Sequence, residues 1–332
     1  MWTVFPSERS VSKRKTIPQK FPLLRYFSLI CTIYPRSFKQ FDSLTSESAS
    51  DIINNKSETF DATESIEWRK HIMENMMQGK NVFITGGSRG IGFATAREML
   101  KEGANAVAIC SHYEETREAA LKALNEEFPG RNIVGYTFDL ATCSEQDIDA
   151  CMKDFIAKFP NEEGKQHLDA VCSIAGITHN NTCKNIPEGL FEEVVRVNLI
   201  GTWYVDHCAC NIMRGQKFGA IVNTASIAGV YGSSMGAGYG ASKGGVVGLT
   251  RSLGREMAYF NVRVNAICPG VVKTDMVMKD TSEAAIKYVC QGIAMHRMGE
   301  PEELAKMFVF LSSDASSYCE AGIYHCDGWT TG

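Results

Sequence analysis

The fold of this chain is decided by the stretch Val82-Phe83-Ile84-Thr85-Gly86-Gly87-Ser88-Arg89-Gly90-Ile91-Gly92. An apolar, β-prone run ends at a cluster of glycines, and a helical pattern of apolar residues follows through Leu100. The stretch therefore predicts a strand, a tight turn and a helix. Gly86, Gly90 and Gly92 let the backbone turn sharply, and they let a pyrophosphate approach the free N–H groups at the start of the helix. A glycine cluster alone is more often an ordinary loop than a nucleotide site, so the rest of the chain decides its meaning.

Composition narrows the class of protein. The chain has 332 residues, of which 44% are hydrophobic, and this is enough to bury the core of a large α/β domain. A net charge of −4 argues against a nucleic-acid partner, which would need a basic face. The twelve cysteines form no CxxC pair, and the cluster His207-Cys208-Ala209-Cys210 lies in an apolar helical stretch without a second ligand pair. We therefore expect free core thiols in a reducing compartment and no metal site.

Residues 1–79 differ from the rest. Residues 1–40 carry eight Lys or Arg and one acidic residue, whereas residues 41–79 are rich in Ser, Asn and Thr and have a net charge of −5. Neither part has a sustained core periodicity, so the segment is predicted to be a mostly disordered extension. Its basic start resembles an organelle-targeting peptide. An alternative hypothesis is that, in a bacterial source, translation begins at Met73 or Met76 and the preceding residues are read from an untranslated leader.

From residue 80 to 332, β-like and helical patterns alternate, which predicts one doubly wound, Rossmann-like parallel sheet with helices on both faces and no second domain. The predicted strands span residues 81–85, 106–110, 132–138, 168–174, 219–224, 262–268 and 322–326. The predicted helices span residues 90–102, 114–128, 144–159, 188–214, 238–259 and 301–312. Residues 271–298 lack strand character and are rich in Met, so they are interpreted either as a mobile lid or as a short helix packed on the core. The ligand crevice is expected at the carboxyl ends of the strands.

The end of the second strand bears on the choice of cofactor. An acidic residue there would accept hydrogen bonds from the adenosine ribose and select NAD, but the strand ends at Ser111-His112. Arg89 places a cation near the position of a 2′-phosphate, and His112 adds a possible donor. NADP(H) is therefore favoured over NAD(H), with a solvent-facing Arg89 as the alternative. Asp139, after the third strand, is a candidate partner for the adenine amine or, alternatively, a cap for the following helix.

Three residues carry the predicted chemistry. Ser226 follows the fifth strand, and Tyr239 and Lys243 stand four apart, a spacing that puts them on one face of a helix. A nearby ammonium favours the phenolate and lowers the pKa of a tyrosine, so Tyr239 is a candidate general acid or base. The Ser226 hydroxyl is placed to hold a substrate carbonyl oxygen while hydride arrives from a nicotinamide. Each residue alone has an ordinary structural explanation, but their joint spacing behind a glycine turn favours catalysis.

With its TGxxxGxG turn and YxxxK pair preceded by a serine, the chain resembles the short-chain dehydrogenase/reductase family over about residues 78–331. The resemblance implies that Tyr239 exchanges the proton, Lys243 lowers its pKa and binds the nicotinamide ribose, and Ser226 orients the carbonyl. It also implies that Asn198 holds a water of a proton relay, and that the assembly is a homotetramer. The cofactor site is predicted to comprise Gly86, Ser88, Arg89, Gly90, Ile91, Gly92, Ser111, His112, Asp139, Leu140, Ile174, Ala175, Gly176, Tyr239, Lys243, Pro269, Gly270, Val272 and Thr274.

Within the family, the nearest resemblance is to 3-oxoacyl-[acyl-carrier-protein] reductases, which act in fatty acid biosynthesis. It rests on Ala175-Gly176-Ile177-Thr178, on residues 264–270 and on Thr274-Asp275-Met276. The family's Asn-Asn-Ala-Gly is replaced by Ser173-Ile174-Ala175-Gly176. The usual support of the central sheet by asparagine is therefore not expected here. Trp329 stands where glycine is common, which predicts a difference in subunit contacts or at the pocket rim.

The sequence thus predicts a cytoplasmic NADP(H)-dependent enzyme that reduces a carbonyl, with a 3-oxoacyl thioester as the first substrate class and no membrane association of the catalytic domain. Three alternatives stay open. The first is an NAD-dependent dehydrogenase of a sterol, polyol or sugar, and the second is a non-catalytic dinucleotide sensor that regulates a partner. The third is an enzyme tethered to an organelle or membrane by its first 79 residues.

Overall fold

The glycine turn is placed by the strand and helix that flank it. The computed structural model describes residues 75–161, 163–279 and 282–330, so the interpretations of the first 74 residues as a disordered, targeting or untranslated segment lie outside the described residues. Strand β1 (Asn81–Thr85) is buried along its whole length, and four residues separate it from helix α1 (Gly90–Lys101). All described residues belong to one compact unit, Arg69–Gly332.

The remaining elements alternate along the chain as expected. The strands are β2 (Ala106–Ser111), β3 (Asn132–Thr137), β4 (Ala170–Ser173), β5 (Gly219–Thr224), β6 (Val262–Pro269) and β7 (Ile323–Cys326). The helices are α2 (Glu114–Glu127), α3 (Glu145–Lys158), α4 (Leu190–Val195), α5 (Gly201–Gln216), α6 (Ile227–Tyr231), α7 (Ala237–Met257), α8 (Asp275–Met278), α9 (Glu283–Gln291) and α10 (Pro301–Ser312). Short 3₁₀ turns follow α7 and α10 at Ala258–Phe260 and Asp314–Ser316.

The seven strands form one parallel sheet in the order β3-β2-β1-β4-β5-β6-β7. The order reverses between β1 and β4, which is the point where ligands bind in doubly wound sheets. Successive residues of β1 face opposite sides of the sheet, so Phe83 packs in one apolar cluster with Phe155, and Ile84 packs in another with Met99 and Phe308. Both faces are therefore covered, as predicted.

Several predicted boundaries were wrong. Strand β4 covers Ala170–Ser173 rather than 168–174. The predicted helix 188–214 consists of α4, a π-helical segment at Arg196–Ile200, and α5, which ends at Gln216. Helix α6, directly after β5, was not predicted.

Residues 271–298 contain the two short helices α8 and α9. The segment is therefore helical in part, as one of the two interpretations predicted. Neither helix has a buried residue, however, so the predicted packing of a helix on the core was wrong. The segment is nevertheless joined at its ends, because the Lys273 N–H donates to the Gly299 carbonyl at 2.9 Å and the Gly299 N–H donates to the Val271 carbonyl at 3.0 Å. Near its end, the Ala294 N–H donates to the Trp329 carbonyl at 3.1 Å. The lid interpretation is a statement about motion and stays a prediction.

Within the described part of the chain, no helix is both long and apolar enough to cross a membrane.

Candidate active site

A cleft with a cavity volume of about 320 Å³ lies at the carboxyl ends of the strands. Its wall includes all of the predicted cofactor residues and three of the four predicted catalytic residues. The lining members are Gly86, Ser88, Arg89, Gly90, Ile91, Gly92, Ser111, His112, Asp139, Leu140, Ile174, Ala175, Gly176, Ser226, Tyr239, Lys243, Pro269, Gly270, Val272 and Thr274. Asn198 is the exception and lies beneath the wall. The fold therefore brings together residues that are up to 188 positions apart in the sequence (Gly86 to Thr274).

The glycine turn fits a bound pyrophosphate. Gly86 and Gly90 have φ values of +68° and +53°, a left-handed conformation that glycine adopts without strain. A Cβ at Gly86 would lie 2.9 Å from the Ala175 backbone, and one at Gly92 would lie 2.1 Å from the Gly86 carbonyl oxygen. The first turn of α1 carries no acidic side chain, so the positive end of this helix is free to face an anion.

The end of the cleft beside β2, where the adenosine is predicted to bind, is called the adenosine end and is lined by hydroxyl groups and a histidine. Ser111 Oγ lies 3.0 Å from Ser88 Oγ and 2.8 Å from Thr116 Oγ1. His112 stacks on Tyr113 with ring centroids 4.1 Å apart, and its Nε2 is 3.6 Å from Asp139 Oδ2. Thr116 and Tyr113 were not predicted, although both are polar residues that closely follow the predicted end of β2. This end of the cleft carries hydroxyl donors where an acidic residue would be needed to select NAD.

Arg89 and Asp139 differ in how firmly they are held. Arg89 is exposed, and no hydrogen bond or ion pair of its side chain occurs among the described residues. Asp139 Oδ1 accepts a hydrogen bond from the Ala141 N–H at 2.8 Å, which fixes the loop after β3. The interpretation of Asp139 as the cap of the next helix was wrong, because Ser144 caps α3 in a capping box with Asp147.

Ser226, Tyr239 and Lys243 meet on one wall. Ser226 Oγ accepts a hydrogen bond from the Ala228 N–H at 3.1 Å, so Ser226 caps α6 and is fixed at the end of β5. Tyr239 is half-buried on α7, where burial raises the pKa of its phenol and a hydrogen bond with Ser226 opposes that rise. The expected lowering of the Tyr239 pKa by Lys243 does not prevail, because desolvation is the larger influence in this arrangement.

Lys243 is only 3% exposed, and its Nζ donates to the Thr224 carbonyl at 2.7 Å. Nζ lies 5.9 Å from the centroid of the Tyr239 ring, so the ammonium and the phenol are neighbours as the i, i+4 spacing predicts. Burial lowers the pKa of Lys243 to about 8. Thr224 also lines the cleft, and its Oγ1 is buried without a hydrogen-bond partner among the described residues.

Asn198 occupies the π-helical segment, a rare geometry that is frequent at functional sites. Its Oδ1 accepts from the Ile177 N–H at 2.8 Å, and its Nδ2 donates to the Ile177 carbonyl at 2.8 Å and to Ser242 Oγ at 3.1 Å. A Cβ on Gly176 would lie 3.1 Å from Asn198 Oδ1 and 3.5 Å from Lys243 Nζ. Asn198 thus lies behind the cleft wall and next to Lys243, and its water-holding role stays a prediction.

The two departures from the family pattern have distinct structural outcomes. Ser173 Oγ donates to Asp206 Oδ1 at 3.1 Å, so a serine and a buried aspartate bond at the place of the missing asparagine. Asp206 was missed by sequence reasoning, although an acidic residue between Val205 and Ala209 on an otherwise apolar helix face was an available signal. Trp329 has a φ of +58°, is 72% exposed and does not line the cleft.

The comparisons agree with this geometry. Residues 80–285 match the model of the family described as short chain dehydrogenase. A 3alpha-hydroxysteroid dehydrogenase from Mediterraneibacter gnavus is 37% identical over 76% of this chain and 97% of that protein. A 3-oxoacyl-[acyl-carrier-protein] reductase FabG from Chlamydia trachomatis is 34% identical over 77% of this chain and 99% of that protein. The crystal structure of levodione reductase has a TM-score of 0.70 and 31% identity, and it covers 76% of this chain and 97% of that chain.

The fold, the cleft and these likenesses define a class. The chain belongs to the short-chain dehydrogenase/reductase family and is an oxidoreductase of the NAD(P)-dependent kind.

Proposed function

We propose that this protein reduces a carbonyl group to a secondary alcohol, with NADP(H) as its cofactor and Tyr239 as the proton donor. The observation that carries the proposal is the juxtaposition of Ser226, Tyr239 and Lys243 on the cleft wall beside the glycine turn. The nicotinamide group supplies the hydride when it is bound. The chain's own residues then have to hold the carbonyl oxygen and give it a proton.

The protonation states of the wall suit reduction. Burial keeps the Tyr239 phenol protonated near neutral pH, so its O–H is available to the oxygen that gains negative charge. The Ser226 hydroxyl would donate to the same oxygen and stabilise that charge. Lys243, with a pKa of about 8, holds a proton near neutral pH and can release it, which makes it a suitable source for returning a proton to the phenolate. Asn198, which is hydrogen-bonded to Ile177 of the cleft wall, would hold the water that connects Lys243 to solvent.

NADP(H) is proposed because of the adenosine end of the cleft. Arg89 is an exposed cation with no partner among the described side chains, and Ser111 Oγ lies within 3.0 Å of both Ser88 Oγ and Thr116 Oγ1. A 2′-phosphate would find a cation and neutral donors there, and Ser111 and His112, the residues at the end of β2, carry no carboxylate to repel it.

For the substrate, we propose a 3-oxoacyl thioester, a class that is processed in fatty acid biosynthesis. The cleft is flanked by Met276 and Val277, and Met276 is 52% exposed, so a flexible apolar surface borders the site where an acyl chain would lie. The relatives named 3-oxoacyl-[acyl-carrier-protein] reductase FabG support the same substrate class. A hydroxysteroid is the second candidate, because the 37% identity to a 3alpha-hydroxysteroid dehydrogenase supports it and the same apolar surface would suit a steroid.

The test is an absorbance assay of the full chain at the nicotinamide band, with NADPH and NADH offered separately. Acetoacetyl thioester and a 3-ketosteroid are the two substrates. We expect the thioester to be reduced with NADPH at a kcat/KM at least about tenfold above that of the steroid. Turnover of the steroid alone would replace the first substrate class by the second. Activity with NADH only would contradict the assignment of the adenosine end.

The cofactor proposal makes a separate prediction at Ser111. Replacing Ser111 by Asp puts a carboxylate beside Ser88 and Thr116, where it repels a 2′-phosphate and accepts hydrogen bonds from ribose hydroxyls. We expect the ratio of kcat/KM for NADPH to that for NADH to fall by about 10- to 100-fold, measured with one carbonyl substrate at saturation. Ser111→Asn is the matched control, since it has nearly the same shape without the charge. An unchanged ratio in Ser111→Asp would show that the 2′-phosphate lies elsewhere.

A cytoplasmic homotetramer is the proposed assembly. Its support is the family resemblance together with Ile200 and Trp203, which are 37% and 36% exposed on neighbouring helical segments and would be covered by a second copy. Sedimentation of the full chain measures the mass directly, and a monomeric mass at micromolar concentration would contradict this proposal.

A further inference from the structure

A network of buried polar side chains lies beneath the cleft. Asp206 Oδ1 accepts from Ser173 Oγ at 3.1 Å, and Asp206 Oδ2 accepts from Asn223 Nδ2 at 2.8 Å. Asn223 Nδ2 also lies 3.1 Å from Thr250 Oγ1. All four residues are at most 3% exposed. The carboxyl group therefore replaces water as a partner of two side chains that are buried in the core.

The two donors to Asp206 are neighbours across the sheet. Ser173 on β4 and Asn223 on β5 are paired residues in the parallel register, and Ser173 is the last residue of its strand. Asp206, on helix α5, thus bonds to one residue of each strand and joins both strands to the same helix. It holds them at the end of the sheet where the cleft opens.

The next residue along β5 is in contact with the catalytic wall. The carbonyl of Thr224 accepts the hydrogen bond from Lys243 Nζ, and Ser226 follows two residues later. Thr250 lies on α7, the helix that carries Tyr239 and Lys243, so the network also connects β5 to that helix. A displacement of Asn223 would move the acceptor of Lys243 and the start of the Ser226 loop together.

We propose that Asp206 is a positioning residue for the reaction. Its carboxyl group fixes the ends of β4 and β5 and thereby holds the Thr224 carbonyl where the Lys243 ammonium bonds to it. This inference rests on the proposed function for its catalytic consequence, but the structural part of it can be measured without turnover.

The surroundings of Asp206 favour its neutral form. The groups that face it are Ser173 from β4 and Asn223 from β5, with Thr250 of α7 behind Asn223, and Cys210 lies one turn along its own helix. Burial raises the pKa of the Cys210 thiol to about 12, so this neighbour is uncharged, and within the described ranges no Lys, Arg or His side chain pairs with Asp206. Burial raises the pKa of Asp206 to about 7, against the two hydrogen bonds that lower it.

This carboxyl group makes the stability depend on pH in a defined direction. Its pKa in the folded chain lies above the value of about 4 for an unfolded aspartate, so the folded state binds the proton more tightly. Proton binding by Asp206 therefore adds to the free energy of unfolding. This added stability is fully present below about pH 4, decreases as the pH rises to about 7, and is absent at higher pH. Asp206→Asn cannot ionise, so its melting temperature relative to the wild type should rise between pH 4 and pH 7.

Asparagine is the conservative replacement at this position. Its carbonyl oxygen can accept from Asn223, and its NH₂ can donate to the Ser173 hydroxyl, which is able to accept. Leucine has a similar size but removes the carboxyl oxygens that accept from Ser173 and Asn223, so that only the Thr250 hydroxyl still accepts from Asn223 Nδ2. Asn81→Leu is the matched control, because Asn81 is equally buried and donates to the Phe159 carbonyl at 2.7 Å, but lies at the opposite end of the sheet.

The kinetic test compares the three variants of the full chain well below their melting temperatures. We expect Asp206→Leu to lower kcat by about 10- to 100-fold, because a small displacement of catalytic groups is costly. Asp206→Asn should keep kcat within about threefold of the wild type, and Asn81→Leu should lose stability but keep kcat. Equal kcat values for Asp206→Leu and Asn81→Leu would overturn the positioning role.

The structural test uses hydrogen exchange and infrared difference spectra, and neither needs turnover. Peptides covering residues 170–174 and 219–224 should exchange faster in Asp206→Leu and at the wild-type rate in Asp206→Asn. The wild type minus Asp206→Asn spectrum should contain the band of a protonated carboxyl group at about pH 5, and the band should disappear as the pH rises through about 7. Absence of that band at about pH 5 would show that Asp206 is ionised there and would contradict the inference that its neutral form is favoured.

Ser173→Ala keeps the test decisive if Asp206→Leu does not fold. It removes one of the two hydrogen bonds that lower the Asp206 pKa, so the infrared midpoint should move to higher pH. An unchanged midpoint would show that Ser173 does not bond to the carboxyl group. A wild type with no activity on any carbonyl would refute the proposed function, whereas the exchange and infrared results would still decide whether Asp206 holds the two strand ends.

Discussion

Tyr239→Phe should lower kcat for carbonyl reduction by about a thousandfold or more, because phenylalanine keeps the ring on the cleft wall but has no proton to donate. Burial keeps the phenol of Tyr239 protonated, and Ser226 is hydrogen-bonded to it, so the variant removes the one acidic group placed to serve the substrate oxygen. NADPH affinity, measured by fluorescence titration, should change by less than about threefold, since the ring and Lys243 are retained.

Tyr259→Phe is the matched control, because Tyr259 is 90% exposed and its loss of a hydroxyl should leave kcat unchanged. A Tyr239→Phe variant that retains most of its activity would refute the proposed proton donor. A variant that loses activity but keeps the full biological effect of the protein would favour the dinucleotide-sensor alternative.

Gly92→Ala should abolish dinucleotide binding. The added Cβ would lie 2.1 Å from the Gly86 carbonyl oxygen and 2.7 Å from its carbon, and both are backbone atoms that cannot rotate away. The turn would have to open, which separates the start of α1 from the place of the pyrophosphate. We expect the dissociation constant for NADPH to rise by about a hundredfold or more, measured by fluorescence titration, together with a lower melting temperature.

The control for this substitution is Gly248→Ala on α7, where a Cβ would have nothing within 4 Å. Alanine in an open helical position should stabilise the chain by about 0.5–1 kcal/mol and leave NADPH binding unchanged. Tight binding by Gly92→Ala would mean that the pyrophosphate does not depend on the close approach of the turn to α1.

Local patterns predicted the parts of the fold that short segments encode. The apolar run before the glycines fixed β1, and the switch from strand to helix periodicity placed α1 to within one residue. The four-residue spacing of Tyr239 and Lys243 put both on one helix face, and the structure confirms the helix. These features depend on residues that are close together in the sequence, so they can be predicted without knowledge of the tertiary structure.

Features that depend on distant partners were not predictable. The π-helical segment around Asn198 is coupled to hydrogen bonds with Ile177, which lies 21 residues away. Asp206 itself stands out as an acidic residue on an apolar helix face, but its partner Ser173 lies 33 residues away, and helix periodicity does not identify that partner. The pKa of Tyr239 was expected to fall because the spacing reveals the nearby ammonium, whereas the desolvation that outweighs it is a property of the packed cleft.

The joined ends of residues 273–298 have a consequence for how this enzyme can diversify. The segment begins just after Val272 and ends just before Gly299, and these two flanking residues form an isolated parallel bridge. Changing the length of the intervening segment therefore alters mainly its closure entropy, by about 0.6 kcal/mol for each doubling, and leaves the strand order untouched. Met276 and Val277 lie inside this segment, whereas Ser226, Tyr239 and Lys243 lie outside it. Under the proposed function, the apolar residues that border the substrate and the residues that transfer the proton belong to separate pieces of chain, so natural or laboratory exchange of this one segment can vary substrate preference without rebuilding the proton-transfer wall.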